Sequence, residues 1–277
     1  MNALTPFGQN VPETAALKLV VSYDGAGFAG SQAQAGERTV QGVLERALAV
    51  LAGLPVKSVF AGRTDRGVHA SGQVVSCVDV RPEDSDDRIM LALNGLLPYD
   101  IAVHAVRRER SSFHARFDAK WREYRYRIWV GPRQPLVHQQ VWHRRSPLDV
   151  AQMNAGARQF IGKRDMASLA SFGRGMPWAD VPAGSRGTVR DVMRCACNRI
   201  SPWWGEGIHT GELVEVQVAA DGFLPRMVRT MVALIVEVGM GGKPAGWISD
   251  VLQRQDRRAA LGAAPAHGLT LWQVGYV

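Results

Sequence analysis

The chain has 277 residues, 46% hydrophobic and 21% charged, and its 33 Lys and Arg against 25 Asp and Glu leave a formal net charge of +8. That composition excludes a disordered or collagen-like chain and suffices for a sizeable core in one large or two small domains. Cys77, Cys195 and Cys197 are too few, and odd in number, for a secreted disulfide framework, which points to a reducing cytoplasm.

In chain order, Leu17, Leu19, Val21 and Tyr23 alternate with polar residues and predict a half-buried strand. A glycine loop follows. Thr39 then caps a helix whose face is Val40, Val43, Leu44, Ala47, Leu48 and Leu51. A short strand at 56–60, a polar loop at 61–70 and a β-branched strand at 73–80 come next. A second helix is expected over 85–93, ending near Asn94-Gly95, and Ile101, Val103 and Ala105 alternate as another strand. From 121 to 130, Tyr124, Tyr126, Ile128 and Val130 alternate with Glu123, Arg125, Arg127 and Trp129, one side aromatic and the other charged. Ser146-Pro147 starts a helix with Val150, Met153, Ala157, Phe160 and Ile161 on its face. A Gly- and Pro-rich loop is expected at 173–187, then strands at 189–197 and 213–219. Helices at 225–238 and 247–252 and a strand in the segment LTLWQV complete the pattern. The layout is α+β in two similar halves, 1–112 and 113–277. No stretch approaches the roughly 18 apolar residues of a membrane span, the nearest being 231–236, and the N-terminus lacks the basic-then-apolar pattern of a leader.

All but five of the basic residues are arginine, whose planar fork suits phosphates, although a codon bias would give the same excess at most single positions. Eight of them, Arg107, Arg108, Arg110, Arg116, Arg122, Arg125, Arg127 and Arg133, share one stretch with Trp121, Tyr124, Tyr126 and Trp129. Cations interleaved with aromatic rings are what gripping a polyanion with bases requires.

Three motifs invite a chemical reading. Gly25-Ala26-Gly27-Phe28-Ala29-Gly30 has dinucleotide-binding spacing, but the next helix begins only near Thr39, so its N-terminus is not placed for a pyrophosphate. Cys195 and Cys197 share a face of a strand with no further ligands near them, so core packing is the better reading, and the seven histidines show no metal-site spacing. The third is the loop 61–70, where Asp65 sits between Arg63 and Arg66 with glycines on either side. Those cations favour an ionised carboxylate, available as a nucleophile or as a loop residue satisfying backbone amides. Arg229 falls in a helix apolar over most of its circumference. A buried guanidinium needs an anionic partner, which makes Asp65 or the substrate the candidates unless the side chain snorkels to solvent.

Tyr23-Asp24-Gly25, Phe28-x-Gly30, Thr39-Val40-Gln41 with Leu44-Glu45, Gly62-Arg63-Thr64-Asp65-x-Gly67-Val68-His69-Ala70 and Leu97-Pro98 with Asp100-Ile101 occur in that order. Phe113-His114-Ala115-Arg116, Tyr124-x-Tyr126, Gly222-Phe223-Leu224 with Met227-Val228-Arg229, and Ala264-Pro265 with Gly268-Leu269 follow. Together they resemble the tRNA pseudouridine synthase A (TruA) family over nearly the whole chain. The chain departs from the family's pattern at Ser31, where a tryptophan is usual, at Met166, where a phenylalanine is usual, and in the loop 173–187.

The resemblance implies isomerisation of uridine to pseudouridine at positions 38, 39 and 40 of the tRNA anticodon stem-loop, without metal, nucleotide cofactor or membrane. The N1–C1′ bond breaks, the uracil turns while bound, and C5 rejoins C1′. By similarity Asp65 is the nucleophile, acting at C1′, at C6 or through a glycal, much as a carboxylate serves glycosidic cleavage. Tyr124 stands against the target base, Arg63 and Arg66 with Arg125 and Arg127 hold the nucleotide, and Arg229 orients the carboxylate. The implied fold is two antiparallel sheets meeting around a basic cleft, helices outside, in a cytoplasmic homodimer whose subunits share one tRNA. An RNA-binding protein of this fold without catalysis is the alternative, as is another nucleobase- or tRNA-modifying activity on the same scaffold.

Overall fold

The computed structural model describes residues 15–170, 187–205 and 210–277, and apart from Gly187 the loop expected at 173–187 lies outside them. Strand β1 (Ala16–Tyr23) buries Leu17, Leu19, Val21 and Tyr23 and turns Lys18 and Ser22 away, as its alternation predicts. Helix α1 (Val40–Ala52) is capped by Thr39, whose hydroxyl accepts from the Gly42 amide at 3.2 Å. Gly53 ends it at φ +72°, a left-handed conformation that side chains resist.

Strand β2 is only Val59–Phe60, whereas β3 (His69–Val78) begins ahead of its β-branched run, because its first residues are paired across the molecule. Helix α2 (Asp86–Leu96) is capped by Ser85 and runs through Asn94-Gly95 rather than ending there. The Asn94 side chain is engaged by the Val103 amide and carbonyl at 2.8 Å each and opens no turn. In β4 (Ile101–Glu109) the expected alternation holds for Ile101 and Val103 only. A bulge opposite Val20 and Val21 inserts a residue, so that Val106 and not Ala105 enters the core.

Strand β5 (Trp121–Val130) is followed by β6 (Trp142–Arg144) and, further on, by β7 (Gly162–Asp165), two strands too short to show a period in sequence. Helix α3 (Val150–Ala157) starts behind Asp149, whose carboxylate accepts from the Ala151 and Gln152 amides, not at Ser146-Pro147. Past Ala157 the chain tightens into a 3-10 turn that buries Phe160 and leaves Ile161 40% exposed, off the expected apolar face. Strands β8 (Val189–Ile200) and β9 (Glu212–Ala220), helices α4 (Met227–Gly239) and α5 (Trp247–Gln253), and strand β10 (Leu269–Gly275) complete the described elements.

The fold is α+β. The strands form one mostly antiparallel ten-stranded sheet in the order β4-β1-β3-β10-β5-β9-β8-β7, with β2 on β3 and β6 on β5. Strand β10 joins the sets: it runs parallel to β3, Thr270 opposite His69 and Leu271 opposite Ala70, and antiparallel to β5, Leu271 opposite Tyr124. One core cluster gathers the apolar sides of all five helices against one face of the sheet. Within it Met231, Val232, Leu234 and Ile235 of α4 are completely buried, each stabilising the fold by about 1.5–3 kcal/mol. Cys77, Cys195 and Cys197 are free thiols packed in the same core. Among the described residues no helix is long and apolar enough to cross a membrane.

Candidate active site

The loop between β2 and β3 carries Asp65 and is clamped on every side but one. Gln73, fully buried, brackets Gly62 by accepting from its amide at 3.2 Å and donating to its carbonyl at 2.8 Å, and also donates to the Tyr23 hydroxyl at 3.3 Å. Tyr23 shares a hydrogen bond with the Thr64 hydroxyl at 2.8 Å, and burial pushes its phenol up to about 12. Ser31 holds Thr64 from the other side, its hydroxyl accepting from the Thr64 amide at 2.8 Å while its own amide donates to the Thr64 carbonyl at 3.0 Å. The glycines at 25 and 30 serve this loop. A Cβ on Gly30, at φ +108°, would come within 2.9 Å of the Thr64 carbonyl, and one on Gly25 would collide with that of Val68. Their spacing answers a close backbone approach, with the next α-helix starting only at Val40.

The open side faces Arg229. Its Nη1 donates to Asp65 Oδ2 at 3.1 Å and its Nε to the Ala264 carbonyl at 2.7 Å, while the Ala264 amide donates back to the Arg229 carbonyl at 3.0 Å. The guanidinium is 16% exposed and the carboxylate 40%, so the cation is fixed inside the fold and the anion remains reachable. This is the partner that the buried charge demands.

Tyr124 stands one strand beyond, two ladder steps from Ala70 through Leu271, or about 10 Å at ordinary strand spacing. It is 7% exposed and packs edge-on against Phe223 at 5.0 Å, and a Cβ on Gly62 would lie 3.5 Å from its hydroxyl. Burial chiefly, with nearby Tyr23 and Asp65, holds its phenol far above the ordinary value, so the ring is neutral at physiological pH.

Arg63 is exposed and lines, with Arg116, Ser31, Gln32, Gln41 and Ser58, a cavity of about 150 Å³ beside the loop. Arg66 points outward to Glu37 at 3.0 Å. Arg125 and Arg127 are not brought to Asp65. They leave β5 on the face opposite Tyr124, pair with Glu123 and Glu215 and stack on Trp272, Arg127 lying over Trp203 as well.

Arg122 has a structural part that the sequence reading did not single out. Buried at 8% exposure, it donates to the carbonyls of Ala61, Arg116, Ala119 and Asp221, tying the start of the Asp65 loop to two other segments. Its signal was parity, since Arg122 falls on the aromatic side of β5. His69 is a second such tie: its Nδ1 accepts from the Gly25 amide at 3.0 Å, which leaves Nε2 to donate to the carbonyls of Gln139 and His267 at 2.7 and 3.0 Å.

Residues 19–118 and 157–277 match the family model described as tRNA pseudouridine synthase. The chain is 38% identical to "tRNA pseudouridine synthase A" of Anoxybacillus flavithermus, over 94% of this chain and 98% of the relative. It is 42% identical to the protein of the same name from Solidesulfovibrio magneticus, over 95% and 91%, and 36% identical to that of Geobacillus kaustophilus, over 95% of each. A sequence match that spans both stretches carrying the Asp65 loop and the Arg229 helix shows that this chain belongs to the tRNA pseudouridine synthase family.

Proposed function

We propose that this chain isomerises uridine to pseudouridine in tRNA, at positions 38, 39 and 40 of the anticodon stem-loop, with Asp65 as the nucleophile. The observation that carries the reading is the Asp65–Arg229 pair at 3.1 Å, in which a half-exposed carboxylate is aimed by a buried cation within a loop that has little freedom to move. Such an arrangement serves a reaction in which a sugar carbon becomes electron-poor while a freed base is retained. The N1–C1′ bond breaks, the uracil turns in place, C5 takes the bond to C1′ and then gives up its proton, and N1 gains one. Tyr124, held neutral and edge-supported by Phe223, offers a flat face to the extruded base, replacing the stacking lost from the RNA. Arg63 and Arg116, at the mouth of one cavity, supply cations for the backbone of the flipped nucleotide. Arg125 and Arg127 would meet RNA only on the opposite face of the sheet. The two halves, 1–112 and 113–277, act as one site because β10 welds them; a cytoplasmic homodimer sharing one tRNA is part of the same reading.

The test is pseudouridine formation in a tRNA transcript with uridine at 38–40, read by mass spectrometry. Asp65→Asn keeps the size of the side chain and is expected to reduce product to background while tRNA binding stays within about threefold, because only the reacting atom is changed. Wild-type turnover by Asp65→Asn overturns the assignment.

A further inference from the structure

The segment after β4 spends an apolar ring on water. Phe117 is 74% exposed, although the turn that carries it is held by bonds on all sides. His114 Nδ1 accepts from the amides of Arg116 and Phe117 at 3.3 and 3.1 Å. The Asp118 carboxylate accepts from the His114 amide at 3.0 Å and from Arg110 at 3.1 Å, and the Asp118 amide donates to the His114 carbonyl at 3.0 Å. Beneath them, Ala115 is fully buried, its amide donating to Ser76 and its carbonyl accepting from Tyr276, and Arg122 donates to the Arg116 carbonyl. The turn is therefore preorganised, and its exposed ring does not result from loose packing.

Its surroundings match one kind of ligand. The His114 ring lies 4.2 Å from the Phe117 ring at 24°, a stacked pair whose phenylalanine is largely exposed. The Arg116 guanidinium is 5.7 Å from the Phe117 centroid, and Arg116 shares the cavity beside the Asp65 loop with Arg63. Asp118 is already engaged by Arg110, so the uncompensated charge at the platform is positive. A rigid, exposed aromatic ring with an arginine beside it is how proteins hold single-stranded nucleic acid. We propose that Phe117, backed by His114, stacks an unpaired base of the substrate RNA, with Arg116 and Arg63 gripping the phosphates that lead from that base to the Asp65 loop. The platform rests on the reading above that the substrate is an RNA.

Binding of a fluorescently labelled tRNA transcript, followed by anisotropy, tests it for wild type, Phe117→Ala, Phe117→Leu and Phe117→Trp, with pseudouridine formation by wild type measured alongside. Loss of one stacked base is expected to weaken binding about tenfold in Phe117→Ala. Phe117→Leu, which keeps bulk without a ring, loses part of that, and Phe117→Trp binds as wild type. Equal affinity in all four, with wild-type pseudouridine formation intact, overturns the platform and leaves the reaction standing. Weaker binding by Phe117→Ala together with no product from wild type supports the platform and overturns the reaction. Self-association abolished by Phe117→Ala with RNA affinity unchanged assigns the ring to a protein contact and overturns the platform.

Discussion

A guanidinium 16% exposed inside an apolar helix is retained only where its donors are used, and Arg229 uses two of them on unlike partners. The Nε bond to Ala264 fixes the fork, and the fork then fixes Asp65. Removing the arginine leaves a carboxylate that is 40% exposed and still solvated, so the loss falls on orientation more than on stability. Arg229→Met, which fills much the same volume, is accordingly expected to lower turnover about 100-fold while tRNA affinity changes by less than about threefold. Arg229→Lys restores the charge but cannot reach Ala264 and Asp65 together, and should recover only a small part of the rate. Single-turnover rates beside filter binding separate the two effects. Turnover unchanged in Arg229→Met, or lost in step with affinity, would show that the pair does not aim the nucleophile.

At the scale of the element, the β2–β3 loop is rigid because its backbone groups are answered by side chains from β3, β5 and the segment after β1, and its Thr64 hydroxyl by Tyr23 of β1. Gln73 is the centre of this: it is fully buried and satisfies both polar groups of Gly62 together with the Tyr23 hydroxyl. Gln73→Leu keeps the bulk and abandons those three partners. Since an unanswered buried polar group costs about 1–3 kcal/mol, and Gly62 is only part-buried, the expected loss is about 2–4 kcal/mol in urea unfolding, with turnover falling as the loop loosens. Unchanged stability in Gln73→Leu would mean that water replaces all three bonds. Much of this element was legible in sequence. The strand–loop–strand order followed from the β-branched run after a polar loop, and the need of Arg229 for an anionic partner, Asp65 or the substrate, from the cost of a buried charge. What approaches the loop was not legible. A glutamine in a strand reads as a solvent-facing residue, and glycines at 25 and 30 show freedom without showing which backbone they admit. Parity did separate Arg125 and Arg127 from Tyr124, but only the position of β5 within the sheet reveals that this parts them from Asp65. The strand of three residues at β6 and the caps displaced by Asn94 and Asp149 depend on partners far away in the chain or on a choice between neighbouring polar residues, which local pattern cannot settle.

For the whole molecule, the consequence of joining the strands through β10 is one main core shared by both sets of strands, and that core encloses groups that resist ionisation. The Cys77 and Cys197 thiols are pushed from 9.0 up to about 12 by burial, and the Cys195 thiol is raised as well. The Tyr23 phenol rises from 10.0 to about 12, and those of Tyr124, Tyr126 and Tyr276 rise further, again through burial. In each case the folded state holds its proton more tightly than the unfolded chain, so the unfolded state binds fewer protons once its own groups begin to titrate. The stabilisation is complete below the unfolded values and is lost as pH rises from 9.0, first through the thiols and from 10.0 through the phenols as well, toward the folded values near 12. The unfolding free energy read from urea titrations should thus be level from about pH 7 to pH 8.5 and fall steeply by about pH 10.5, by a few kcal/mol in total, with the midpoint falling alongside. Replacing Cys77, Cys195 and Cys197 together by valine keeps the core apolar and removes the earlier titrations, so the onset should move from about pH 9 toward about pH 10 while the later fall remains. A midpoint that stays level to about pH 10.5 in the wild-type chain would mean that these thiols and phenols reach water without unfolding, and that the sheet joined at β10 opens locally before it melts.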